Sequence, residues 1–294
     1  MKLYAPLYYK NFKCIADRCE HSCCIGWEID IDENTLEKYK NLNSGYGAVI
    51  NESISYDNNP HFKLCDRDRC PHLDGRGLCK IILNEGEDCL CDICREHPRF
   101  YNFTSVCEVG IGLSCPEAAR VVLSSPDYDL FEEIGETHAQ EDEVLFDGRA
   151  ERKKIYSVLK NADRPYSSRL EKIYKDYGID ILEDSRYLGI LDSIEYLDGE
   201  HKPLFMNYSR QKRPEGVDEY LERFLAYLIY RHTTEAFDEA DLCERLSFCL
   251  FCERLLASLL CIKETVSRDE VAELARIISE EIEYSEENTA ALMY

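Results

Sequence analysis

Cysteine is the residue type in this chain whose number and spacing point most directly to chemistry. The 294-residue sequence contains 16 cysteines, and twelve of them lie within the first 115 residues. A chain of this length can bury a core of ordinary size without cross-links. The N-terminal part is therefore predicted to be built around something that thiolates hold.

Three interpretations of these thiols compete: disulfides, a metal site, and buried free cysteines. Disulfides require an oxidising compartment, and the opening segment MKLYAPLYYK has two lysines, a proline and no apolar stretch of signal-peptide length. No apolar run approaches the about 18 residues that a membrane span needs. The sequence therefore predicts a cytoplasmic protein without a membrane partner, in which clustered cysteines bind metal.

Two cysteine groups have spacings that suit metal ligation. The first is C-x4-C-x3-C-C, and the second, which begins with Cys-Pro, ends in a C-x2-C pair whose two sulfurs can meet one metal. Adjacent side chains point in different directions, so Cys23 and Cys24 are predicted to face different ligand sets, or one of them faces the core. The predicted ligands in these groups are Cys14, Cys19, Cys23, Cys24, Cys70, Cys79, Cys91 and Cys94.

Cys115 is predicted as an additional ligand at the start of a helix. Ser114 is expected to be the N-cap, Cys115 and Pro116 to lie in the first turn, and Glu117 to complete a capping box. Cysteine followed by proline, at Cys70 and Cys115, also occurs in ferredoxin-type loops. This pattern favours an iron–sulfur cluster, with zinc as the alternative.

Several other residues near the cysteines have side chains suited to ligating the metal, binding a cofactor or covering the site. Arg95 and Arg99 could donate to cluster sulfurs or bind a cofactor carboxylate, or they could form ordinary surface salt bridges. Trp27 is expected to cover the cysteine site. Cys65, Cys89 and Cys107 lack a partner at a repeated spacing, and His21, His72 and His97 are alternative ligands.

Apolar periodicity predicts helices in the remainder of the chain. A short helix is expected at 33–42 after Asp32, longer ones at 217–232 and 242–260, and another after a capping box that begins at Ser267. The acidic stretch 132–151 is expected to be a mobile linker or an exposed helix. Four further thiols are expected to fill the helical core: Cys243, Cys249, Cys252 and Cys261.

The expected fold is mainly α, with a loop-rich cysteine-cluster metal domain at 1–125 followed by an α-helical domain at 126–294. The formal net charge of the chain is −23. A field of this sign repels polyanions, so no nucleic-acid partner is predicted and a cationic partner is favoured.

Four motifs follow one another along the chain: Phe12-Lys13-Cys14 through Cys23-Cys24-Ile25-Gly26-Trp27, Cys70-Pro71-His72-Leu73 with Gly77-Leu78-Cys79, Cys94-Arg95-Glu96-His97-Pro98-Arg99, and Leu113-Ser114-Cys115-Pro116-Glu117-Ala118-Ala119-Arg120. Taken together in this order, they resemble the flagellin lysine-N-methylase family. The N-terminal part is also similar to a broader zinc- or iron-chelating cysteine domain.

The resemblance implies methyl transfer from S-adenosylmethionine to the ε-amine of a protein lysine, with flagellin as a candidate substrate. It also implies an iron–sulfur cofactor, for which a 4Fe-4S cluster is the expected form. No residue is singled out as catalytic. The alternative, from a different class, is a non-catalytic zinc- or iron-binding module whose helical half docks a protein partner.

Overall fold

The chain forms two compact units in a computed structural model that describes residues 1–137, 146–209, 214–262 and 266–293. One unit spans Lys13–Arg99, and the other combines Met1–Phe12 with Phe100–Tyr294. The division falls at Arg99, whereas the sequence predicts a junction near residue 125. The reason is that the first strand of the chain pairs with strands that follow Arg99, so these strands belong to the helical unit.

Thirteen α-helices lie in the described part of the chain and confirm a mainly α fold. None of these described helices combines the length and apolar character needed to cross a bilayer. In chain order they are α1 (Glu33–Lys40), α2 (Gly45–Glu52), α3 (Lys80–Glu85), α4 (Asp92–Glu96), α5 (Pro116–Leu123), α6 (Gly148–Leu159), α7 (Tyr166–Asp176), α8 (Asp184–Ser193), α9 (His201–Phe205), α10 (Asp218–Thr233), α11 (Glu239–Leu260), α12 (Arg268–Ile278) and α13 (Glu286–Leu292).

Within the described ranges, six strands form two sheets that the helical periodicity does not predict. The larger sheet has the order β4-β5-β1-β6, with β1 parallel to β5 and antiparallel to β6. In its register Leu3 lies opposite Cys107 and Tyr4 opposite Glu108. The strands are β1 (Lys2–Pro6), β2 (Ile54–Ser55), β3 (His61–Phe62), β4 (Arg99–Phe103), β5 (Cys107–Ile111) and β6 (Phe131–Glu136).

The acidic stretch 132–151 begins in a strand, which is neither the linker nor the exposed helix predicted, and ends in a helix. Most of β6 lies at its beginning and α6 starts at its end, while the intervening residues 138–145 lie outside the described residues. Pairing with β1 orders the first part as an edge strand with exposed carboxylates.

Helix starts follow the local capping signals in two of three cases. The Asp32 carboxylate accepts from the Thr35 backbone N–H at 2.9 Å at the start of α1, and Ser267 forms the capping box of α12 with Glu270. The third prediction is wrong by one residue, because Cys115 rather than Ser114 is the N-cap of α5. Pro116 disfavours the helical region for the residue before it and itself occupies the first helical position.

The core of the helical unit is built mainly by α10 and α11, against which α5, α6 and α12 pack. Cys249 and Cys252 are fully buried on α11, as predicted for core cysteines. Cys243 and Cys261 are not, since both are partly exposed near the surface. Their sulfurs lie 3.5 Å from the Tyr177 carbonyl and 3.4 Å from the Ala257 carbonyl respectively.

A buried ionic network joins α10 to the π-helical turn Ser279–Glu283. The Glu283 carboxylate accepts from His232 Nε2 at 2.7 Å and from the Tyr227 hydroxyl at 3.3 Å, and it lies 3.6 Å from Arg231 Nε. Burial opposes ionisation of Glu283, but the charge of Arg231 and the bond from His232 outweigh it, so the pKa of Glu283 is lowered. The network therefore holds a charged carboxylate inside the helical core.

Glu283→Gln is expected to destabilise the helical unit by about 3–5 kcal/mol at pH 7, because Arg231 loses its buried partner. A lowered pKa gives stability that is present above the unfolded carboxyl value of about 4.3 and is lost as the pH falls through the folded value. The difference between wild type and variant should therefore shrink below about pH 4.3. Urea unfolding at several pH values measures it.

The matched control is Glu286→Gln, which changes an exposed carboxylate on the neighbouring helix and should alter stability by less than about 0.5 kcal/mol. A Glu283→Gln penalty that stays constant between pH 7 and pH 3 would contradict an ionised Glu283.

Candidate metal centre

The unit Lys13–Arg99 is held together by a small core and by side-chain bonds between its short elements. Its buried residues include Ile29, Tyr39, Ile50 and Phe62. The Tyr39 hydroxyl donates to the Cys89 carbonyl at 2.7 Å. Asp32 accepts not only from Thr35 but also from the Asp92 backbone N–H at 2.9 Å, so the starts of α1 and α4 are joined.

Backbone pairing brings Cys24 beside Cys70. The Cys70 N–H donates to the Cys24 carbonyl at 2.8 Å, and the Gly26 N–H donates to the Asp68 carbonyl at 3.0 Å. Gly26 has a φ of +97°, a conformation that glycine adopts without steric cost. The end of the first cysteine group therefore pairs with the start of the second, and the turn at Gly26 depends on glycine.

The remaining cysteines of the second group are placed by the starts of two short helices. Cys79 is the N-cap of α3 and Cys91 the N-cap of α4, with Cys94 one turn later. The Cys94 N–H donates to the Cys91 carbonyl at 3.1 Å. This turn is the local structure that the C-x2-C spacing predicts, and it directs both sulfurs toward one region.

Five thiols interact electrostatically within this unit: Cys24, Cys70, Cys79, Cys91 and Cys94. Burial and then the charges of Cys24, Cys79 and Cys91 raise the pKa of Cys70 to about 12. Burial and the charges of Cys24 and Cys91 likewise raise the pKa of Cys79. The five-thiol group thus resists complete ionisation, and a cation bound among the sulfurs would reverse that resistance.

Two members of the five-thiol group are set up to ionise first. A hydrogen bond from Cys23, helped by Ser22 and the charge of Arg69 and opposed by burial, lowers the pKa of Cys24 to about 7. The Cys94 thiol donates to Cys91, which lowers the pKa of Cys91 and raises that of Cys94. Arg69 was not identified from the sequence, although its position directly before Cys70 placed it near the site.

The Cys91 and Cys94 sulfurs lie within hydrogen-bond distance of each other, but the five-thiol group does not bring three sulfurs that close together. Two thiolates bound to one Zn²⁺ at about 2.3 Å with a tetrahedral angle lie about 3.8 Å apart. Across the described ranges, no three cysteine sulfurs all lie within 4.8 Å of one another. The group is therefore wider than a closed zinc site.

The other four predicted ligands lie outside the five-thiol group. Cys14 is exposed, and the Cys19 sulfur lies 3.0 Å from the His21 carbonyl. Cys23 is exposed, Cys24 is partly buried, and a hydrogen bond joins the two thiols, so the prediction that they face different ligand sets stays a prediction. Cys115 belongs to the helical unit. Of the three cysteines without a repeated spacing, Cys65 is exposed, whereas Cys89 and Cys107 are buried.

The buried histidine near the thiols is structural. His72 Nδ1 lies 2.9 Å from the Tyr46 hydroxyl and His72 Nε2 lies 2.9 Å from the Ser53 hydroxyl. Both ring nitrogens therefore have hydrogen-bond partners, which favours a structural role for His72 over ligation. Burial and the charge of Lys80 lower the pKa of His72 to about 4.

Trp27 is tied by a hydrogen bond to the backbone of the first cysteine group. Its Nε1 donates to the Cys23 carbonyl at 2.7 Å, and its ring lies 6.3 Å from that of His97. Burial and the charge of Arg99 lower the pKa of His97 to about 4. Trp27 thus fixes the backbone at the end of the first cysteine group.

The two arginines predicted to bind a cofactor already contact other protein groups. Arg95 is ion-paired with Asp92 and, at 3.5 Å, with Glu96. Arg99 donates to the Arg95 carbonyl at 3.2 Å. The geometry of Arg95 is that of the surface salt bridge that the sequence left open, and its role in binding a cofactor stays a prediction.

Comparison with known proteins finds relatives that are named for flagellar biosynthesis or lysine methylation. The chain is 30% identical over 130 residues to the flagellar biosynthetic protein FliU of Salmonella muenchen, an alignment that covers 42% of this chain and 77% of that protein. The chain belongs to the flagellin lysine-N-methylase family. Two other members, the lysine-N-methylases of Salmonella choleraesuis and Salmonella typhimurium, are each 28% identical over 130 residues.

The family relationship is limited in extent. The aligned region spans about a third, 32%, of each of those two lysine-N-methylases and 42% of this chain. No family model matches the chain. No solved structure matches it either.

Cys94→Ser is expected to remove most of the bound metal from the anaerobically purified chain, because it deletes a member of the five-thiol group and the proton donor to Cys91. Cys65→Ser is the matched control in the same unit, since Cys65 is exposed and lies outside the group. Iron, zinc and acid-labile sulfide are measured per chain. Equal metal content in the two variants would contradict this assignment of ligands.

Proposed function

We propose that this chain is a protein-lysine N-methyltransferase that uses S-adenosylmethionine and holds an iron–sulfur cluster, of the 4Fe-4S kind, on its five-thiol group. Its membership of the flagellin lysine-N-methylase family is the observation that carries the proposal. The names of two relatives state the reaction class, and the name of the third places it in flagellar biosynthesis. Flagellin is accordingly the first protein to test as a substrate.

The donor set fits the proposed cluster. All five donors are thiols, and soft thiolates select iron–sulfur clusters or zinc over hard cations. The spread of the sulfurs supports a cluster, because its thiolates bind different iron atoms, whereas a zinc site draws them around one ion. Cys14, Cys19, Cys23 and Cys115 remain proposed ligands from the sequence, with zinc as the alternative metal.

The residues around the thiols would hold and shield such a cluster. When bound, it would supply positive charge, a structural link between the segments that carry the cysteines, and redox capacity. Arg69 donates to the Asp74 carbonyl at 2.6 Å, which fixes the guanidinium whose charge lowers the pKa of Cys24. Burial of Cys70 and Cys91 would keep water from those two sulfurs.

Methylation of lysine places two opposing demands on the protein. The ε-amine has an ordinary pKa of about 10.4 and must be neutral when it attacks the methyl group. The net charge of −23 favours recruitment of a cationic segment, but carboxylates close to the amine stabilise its ammonium form. Recruitment and proton loss therefore require different residues.

Buried tyrosines do not meet the second demand. Burial raises the pKa of Tyr156, Tyr227 and Tyr230 well above 10, so their hydroxyls remain protonated at neutral pH. They can orient other groups as hydrogen-bond donors, but they cannot accept the proton of a lysine. The proposal is thus compatible with loss of that proton to water before the amine reaches the methyl group.

The decisive experiment uses the anaerobically purified, iron-loaded full chain. We expect saturable binding of S-adenosylmethionine in equilibrium dialysis and transfer of its labelled methyl group to lysines of flagellin, detected by peptide mass spectrometry. Flagellin with acetylated lysines is the control substrate, and Cys65→Ser is the control enzyme.

The outcomes separate the parts of the proposal. Methylation of other lysine-rich proteins but not of flagellin would contradict flagellin as the substrate and would support the proposed lysine methylation. If metal-replete protein does not bind the methyl donor and does not transfer methyl groups, that result contradicts the proposed enzyme. It favours the non-catalytic metal-binding module that docks a protein partner.

A further inference from the structure

Three side chains with metal-ligating groups lie on one face of a short antiparallel pairing in the unit Lys13–Arg99. The Ile31 N–H donates to the Pro60 carbonyl at 2.8 Å and the Phe62 N–H to the Ile29 carbonyl at 3.1 Å. This pattern places Asp30 opposite His61 in a non-hydrogen-bonded pair, where side chains approach most closely. Glu28 precedes Asp30 by two residues and so shares its face.

The distances between these groups suit coordination of one ion. One ligand atom from each of Glu28, Asp30 and His61 lies within 4.8 Å of the others, and His61 Nε2 is 3.3 Å from Glu28 Oε2. A nitrogen and an oxygen bound to one divalent ion at about 2.0–2.1 Å with a tetrahedral angle lie about 3.3 Å apart. This pair needs little rearrangement to share a cation.

The second ring nitrogen of His61 fixes which atom faces the carboxylates. His61 Nδ1 lies 2.8 Å from the Asn59 carbonyl, which can only accept, so Nδ1 carries the proton of that bond. In the neutral ring, Nε2 then directs a lone pair toward Glu28. Two facing acceptors repel unless a cation lies between them, and an Nδ1 bond to a carbonyl is the orienting contact that ligating histidines commonly make.

We propose that Glu28, Asp30 and His61 form a divalent-cation site separate from the five-thiol group. Two carboxylates and one imidazole offer hard and borderline donors, which suit first-row divalent ions such as Mn²⁺, whereas the thiols favour softer metals. The ion would neutralise the two carboxylates and link the segment after Trp27 to β3, which begins at His61. It would thereby reinforce the backbone next to the first cysteine group.

The test uses Mn²⁺ as the probe and the full chain with its cysteine site loaded. Electron paramagnetic resonance measures free Mn²⁺ during a titration, and thermal unfolding is followed with and without the ion. We expect one site per wild-type chain, at least tenfold weaker binding in Asp30→Asn and in His61→Ala, and an Mn²⁺-dependent rise in Tm that only the wild type and the control show.

Asp66→Asn is the matched control, since Asp66 is an exposed carboxylate of the same unit that lies outside the three-residue set. Glu28→Gln, which changes an exposed side chain, replaces either variant that fails to fold by circular dichroism. Wild-type affinity in Asp30→Asn, His61→Ala or Glu28→Gln would overturn the site. Lack of Mn²⁺ binding by the wild type would overturn it too.

Discussion

The cost of ionising five neighbouring thiols together is the constraint on which the unit Lys13–Arg99 depends. Negative charge on Cys24 and Cys91 raises the pKa of Cys70, Cys79 and Cys94, and burial adds to that effect. A bound cation turns that repulsion into attraction, and because the unfolded chain does not preorganise the ligands, binding energy becomes folding energy. With the proposed metal site, metal binding and the folding of this unit are therefore linked.

The two units use the same residue type for different physical purposes. Cys249 and Cys252 lie in an apolar helical core, where burial raises their pKa well above 9 and keeps them as neutral space-filling groups. Cys24 lies near Arg69 and accepts a hydrogen bond from Cys23, and these contacts favour the thiolate despite burial. The surroundings of a cysteine, and not its spacing alone, therefore distinguish the proposed ligand Cys24 from the core residues Cys249 and Cys252.

The parts of the fold that the sequence predicts well are those set by local interactions. Asp32 and Ser267 cap helices because a side chain a few residues away supplies the partner, and the Cys91–Cys94 spacing specifies one helical turn. The pairing of β1 with β5 joins residues more than 100 positions apart, and no local periodicity announces it. Long-range pairing is also the reason why the sequence does not predict that Cys115 lies in the helical unit. Likewise, the sequence spacing of Glu28, Asp30 and His61 does not indicate that they meet, because strand pairing brings them together.

X-ray absorption on the anaerobically isolated full chain tests most directly whether the five-thiol group holds an iron–sulfur cluster. The iron edge is predicted to show a first shell of sulfur alone, followed by a shell of neighbouring iron atoms, which only a multinuclear cluster provides. A zinc edge with four sulfur neighbours and no metal neighbour would contradict the cluster. A chain that binds neither metal while its Lys13–Arg99 unit stays folded would contradict the link between metal and fold.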